Sequence, residues 1–73
     1  MENLLLIFKT KAEYERAKDF FDNESDYAPF DQNDEFRSLT FEEGGNIDAL
    51  EAGISEELEA NGFEGYHFET EEA

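Results

Sequence analysis

The sequence predicts an α+β fold: a small antiparallel sheet with two helices on one face. Two segments carry apolar residues at helical spacing, "KAEYERAKDFFDN" and "NIDALEAGISEELEA". Three others, "NLLLIFK", "FRSLTFEE" and "GYHFET", read as strands by continuous or alternating apolar residues. The 73 residues make one domain, 1–73, with no linker and no internal repeat.

In chain order, "NLLLIFK" is apolar on both faces, the mark of a central strand. Thr10 followed three residues later by Glu13 is a capping-box pattern, and Tyr14, Ala17, Phe20 and Phe21 recur at helical spacing, so a helix runs from Lys11 to about Asn23. Pro29 donates no ladder hydrogen bond, which makes any strand near "YAPF" a weak edge strand, and "DQND" has turn chemistry. In "FRSLTFEE", Leu39 and Phe41 fall on one face, and Gly44–Gly45 ends the strand. Asn46 then caps a second helix with the stripe Ile47, Leu50, Ile54 and Leu58. Gly53 weakens that helix by about 1 kcal/mol relative to alanine, and Asn61–Gly62 stops it. Tyr66 and Phe68 share one face of the last strand, after which "TEEA" frays. The expected core is Leu5, Ile7, Tyr14, Phe21, Leu39, Phe41, Leu50, Ile54, Leu58 and Phe68.

This βαββαβ order resembles the ferredoxin-like split arrangement, which implies both helices on one face of the sheet.

Five bases oppose 21 acids, a formal charge of −16. Such an imbalance often means disorder, but a composition 38% hydrophobic and 15% aromatic, in periodic segments, favours a folded domain. The charge is lopsided. Residues 1–18 hold Glu2, Glu13 and Glu15 against Lys9, Lys11, Arg16 and Lys18, a net +1, and the rest of the chain carries −17. With no cysteine there is no disulfide or thiolate metal site, which fits a cytoplasmic protein. The five-residue apolar run Leu4–Phe8 is too short for a signal core or a membrane span.

No enzyme motif emerges. His67 has no cysteine to activate, Ser25, Ser38 and Ser55 lie in no nucleophile motif, and no glycine-rich loop is present to cradle phosphate. Asp31, Asn33, Glu35 and Glu42 match the first, third, fifth and twelfth positions of a calcium loop, yet Phe36 stands where the sharp turn needs glycine. No metal or other cofactor is expected. Direct nucleic-acid binding needs Lys and Arg for phosphates, and the few bases are interleaved with Glu13 and Glu15.

The acids therefore carry the functional reading. Asp48, Glu51 and Glu59, with Glu56 beside them, line one side of the second helix. Asp26, Asp31, Asp34 and Glu35 fall in "DNESDYAPFDQNDEF", which continues into Glu42 and Glu43. Tyr27, Phe30 and Phe36 within that stretch predict a folded display of charge, with some rings anchoring it and any exposed ring available as an interface hot spot. A solvated acidic face for solubility explains a net charge of about −2 to −8; −16 on so short a chain adds self-repulsion that weakens the fold. In size, charge and the runs "DNESDYAPFDQNDE" and "ISEELEANGFEG", the chain resembles the small acidic DNA-mimic inhibitors of phages and mobile elements, the anti-CRISPR and anti-restriction class. That resemblance implies a non-enzymatic inhibitor in the host cytoplasm. Its partner would be a basic nucleic-acid-binding protein or complex, not nucleic acid itself and not a membrane. The alternative is an acidic adaptor that binds a basic protein without mimicry. Self-association as a homodimer is a further way to stabilise so small a domain.

Overall fold

The computed structural model describes residues 2–42 and 46–72, the side chain of Glu42 excepted. The elements are β1 (Glu2–Phe8), α1 (Lys11–Asn23), β2 (Asp31–Asn33), β3 (Ser38–Glu42), α2 (Ile47–Ala60) and β4 (Tyr66–Glu72). The four strands form one antiparallel sheet in the order β2-β3-β1-β4. The fold is thus a small α+β unit of four strands and two helices. The Gly44–Gly45 break and Glu43 lie outside the described residues.

Both helices pack on the sheet face made by Leu4, Leu6 and Phe8 of β1 with Leu39 and Phe41 of β3. They contribute Tyr14, Ala17, Phe20 and Phe21 from α1 and Ile54 and Leu58 from α2, with Ile47 and Leu50 partly buried at the margin. The side chains of β1 alternate, and the helices cover its even-numbered face. Leu5 and Ile7, expected in the core, lie instead on the opposite face and are half-buried, as is Phe68.

Thr10 caps α1 by accepting from the Glu13 amide at 3.3 Å. The other half of the capping box is diverted. The Glu13 carboxylate takes Arg16 Nη1 at 2.9 Å and the Glu64 amide at 3.1 Å, tying α1 to the segment after α2. There Phe63 is buried against Phe8 and Phe20, with the Arg16 guanidinium 4.0 Å from its ring centroid. Asn46 Oδ1 accepts from Asp48 and Ala49 to start α2, and Gly62 at φ 76° follows the Asn61 cap that ends it.

Two strand assignments change. The edge strand is Asp31–Asn33, within the expected "DQND" turn rather than at "YAPF". The Phe30 amide already bonds Thr40 O at 2.9 Å, so pairing begins directly after Pro29. The turn is Asp34–Arg37 instead. Asn33 Oδ1 accepts from the Glu35 and Phe36 amides, and Arg37 closes the turn at φ 55° with both its carbonyl and its Nε bonded to the Phe8 backbone. The "TEE" residues do not fray, because β4 continues to Glu72, pairing Glu71 with Asn3 and Glu72 with Glu2.

Candidate functional site

The acidic stretch after α1 is folded. Phe21 is buried in the core, and Tyr27 is half-buried against it. Ser25 Oγ donates to Glu57 Oε1 at 2.5 Å and accepts from the Tyr27 amide at 3.0 Å, fastening the loop to α2. Tyr27 seats over Gly53; a Cβ there would lie 2.1 Å from the phenol oxygen. Gly53 is therefore the notch that receives this ring. Phe30 and Phe36 stay 57% and 63% exposed.

The acids sort onto two sides. Asp48, Glu51, Glu56 and Glu59 are exposed on the outer side of α2, away from the buried Ile54 and Leu58. Asp31 and Glu35 belong to the other side, the sheet face that the helices leave uncovered. Asp26 is exposed in the loop after α1. A single flat surface on a partner cannot meet both α2 and the open sheet face at once.

Asp34 has a structural engagement. Its Oδ1 accepts from the buried Tyr14 hydroxyl at 2.5 Å and from Lys18 Nζ at 3.3 Å. Those two hydrogen bonds, the Tyr14 one first, hold its carboxyl below the usual carboxylate range. Burial, and then the Asp34 carboxylate, push the Tyr14 phenol well above its ordinary value. Asp34 thereby pins the β2–β3 turn to α1 while its carboxylate stays exposed.

The uncovered face has a regular layout set by the strand register. One row across the sheet runs Asp31, Thr40, Leu5, Glu69; the next runs Asn33, Ser38, Ile7, His67. Glu71 extends the β4 edge beside Asn3. Phe36 reaches over from the turn, and with Leu5 and Ile7 it lines a shallow concavity of about 550 Å³. Ser38 and Thr40 are buried between their neighbours. Glu69 and Glu71 were not among the sequence-predicted site residues, and their place in the register is what brings them to this face. His67 Nε2 lies 2.9 Å from Glu69 Oε2.

Among the described residues, no three metal-ligating side chains converge, and no helix is long and apolar enough to cross a membrane.

No protein-family model, curated protein or solved structure matches this chain. The functional reading accordingly stands on the chemistry of its surface.

Proposed function

We propose that the chain is a non-enzymatic acidic inhibitor that presents carboxylates in place of nucleic-acid phosphates and blocks the DNA- or RNA-binding channel of a basic host protein, in the manner of anti-CRISPR or anti-restriction proteins acting in the host cytoplasm. The observation that carries it is the fate of the acids. Nearly all of those described are exposed, and the ion pairs among the described residues reach only Glu13, Glu15, Asp34 and Glu69. On α2 the pairs Asp48/Glu51 and Glu56/Glu59 are each three residues apart, which sets the members of a pair about 5–6 Å apart, with a wider gap from Glu51 to Glu56. Duplex DNA offers one charge per roughly 1.7 Å of axis, so the helix supplies a sparser field of the same sign on a rigid support. Such a field steers a basic partner into encounter and weakens with salt.

The framework belongs, in this reading, to the ferredoxin-like arrangement. Its support is the βαββαβ element order together with antiparallel pairing in the order β2-β3-β1-β4. That arrangement leaves one sheet face open. In RNA-binding sheets of similar strand number, bases stack on exposed aromatics of such a face; here Asp31, Glu35, Glu69 and Glu71 would repel their phosphates.

Paired charge reversals test the proposal: Glu51→Lys with Glu59→Lys on α2, and Asp31→Lys with Glu35→Lys at the sheet. All four side chains are exposed, so the fold should persist by circular dichroism. At least one pair should abolish binding to the basic target. Undiminished binding by both double variants would refute the proposal.

A further inference from the structure

The open sheet face has features that bulk acidity does not require. Leu5 and Ile7 stand at its centre on β1, and Phe36, 63% exposed, extends the same apolar patch. The turn that carries the ring is tied down on three sides. It is closed by Asn33 onto the Glu35 and Phe36 amides, held to α1 through Asp34, and joined to β1 through Arg37. An exposed aromatic on a hydrogen-bonded turn, ringed by polar groups, has the anatomy of an interface anchor. Carboxylates flank the patch on both sides: Asp31 and Glu35 toward β2, Glu69 and Glu71 along β4. From Asp31 to Glu69 is three strand spacings, about 14 Å between backbones. An α-helix with its side chains is about 10–12 Å across, so one helix fits between the two acidic borders.

We infer that this face docks a basic amphipathic helix of the partner protein, its apolar stripe on Leu5, Ile7 and Phe36 and its flanking Lys or Arg residues on Asp31, Glu35, Glu69 and Glu71. The inference rests on the reading of the chain as a binder of basic proteins, and it assigns the contact to the sheet rather than to α2. Charge complementarity selects this occupant. A second copy docked face to face would set these carboxylates against their own kind. Long basic side chains suit the borders, because their aliphatic stems lie along apolar surface while the charged heads reach the acids.

The test uses two synthetic 18-residue peptides of identical leucine and lysine content. In one, leucines recur at i, i+3, i+4 and i+7; in the other they are scattered around the helix. Each is titrated into the isotope-labelled protein and followed by amide NMR shifts. The patterned peptide should bind at least about tenfold tighter, the factor that corresponds to 1.4 kcal/mol, and move the amides of Leu5, Ile7, Phe36 and Glu69. Phe36→Ala, and separately Asp31→Asn with Glu69→Gln, should remove most of that advantage, whereas Asp19→Asn with Asp22→Asn, exposed on α1, should leave it intact. Equal binding of the two peptides, or shifts confined to α2, would overturn the sheet-face assignment while leaving the acidic-binder reading standing. Absence of binding by either peptide at low salt would overturn both. Dilution-dependent shifts at the same residues in the protein alone would give the face to a second copy and also overturn the inference.

Discussion

Gly53→Ala separates two accounts of the same glycine. By helix propensity alone, alanine at a mid-helix position of α2 stabilises by about 1 kcal/mol. In the folded protein the added methyl would sit 2.1 Å from the Tyr27 oxygen and 3.0 Å from the ring carbon bearing it. The ring must move, and its loop is held by Ser25 on Glu57. Forcing a methyl into packed surroundings costs about 1–3 kcal/mol, so Gly53→Ala should be neutral or destabilising by up to about 2 kcal/mol in the native protein. In a Tyr27→Ala background the notch is empty, and the same substitution should stabilise by about 1 kcal/mol. Urea denaturation of the four proteins gives the coupling directly. A coupling of about 1–3 kcal/mol is expected. Additivity within about 0.5 kcal/mol, the behaviour of independent sites, would refute the seating of Tyr27 on Gly53.

Other substitutions check the remaining packing and electrostatics. Leu58→Ala should cost about 2–5 kcal/mol, and Leu50→Ala clearly less, since Leu58 is fully buried and Leu50 only partly; equal losses by urea denaturation would contradict the placement of α2. Asp34→Asn should lower the melting temperature at neutral pH. A carboxyl held below its ordinary value stabilises the fold above that value, so the difference from the native protein should close as pH falls below the usual carboxylate range. Because the Tyr14 phenol is pushed upward, alkaline ultraviolet titration should reveal a late-ionising tyrosine that Tyr14→Phe removes; its persistence in that variant would contradict the Tyr14–Asp34 contact. Melting temperature should rise with added salt as repulsion among exposed acids is screened; a flat response would argue against crowded charge.

Both helices were legible because their signals are local. Thr10 and Asn46 cap where the pattern places them, and Tyr14, Ala17, Phe20 and Phe21 are all buried. The inward face of β1 was not legible. Leu4 to Phe8 is apolar throughout, so alternation cannot choose between Leu5 and Leu6; the helix layer makes that choice. Strand β2 has three exposed residues and no alternation, and Asn33, which reads as a turn residue, closes the turn from its edge as the last residue of the strand. Phe63 carries no periodicity to announce its burial between two loop glycines. The acids of α2 were readable from helical spacing. The acidic borders of the sheet were only half readable, since Glu69 and Glu71 join Asp31 through pairings that span most of the chain.

Competition with nucleic acid tests the central claim most directly. Basic proteins captured from host lysate on the immobilised chain would be purified, bound to fluorescent duplex DNA or RNA, and titrated with the free protein at low and moderate salt. Mimicry predicts that the labelled nucleic acid is displaced stoichiometrically, that the protein's apparent affinity falls steeply with salt, and that the charge-reversed variant found not to bind displaces nothing. A stable ternary complex of chain, partner and nucleic acid would contradict mimicry and make the chain an acidic adaptor.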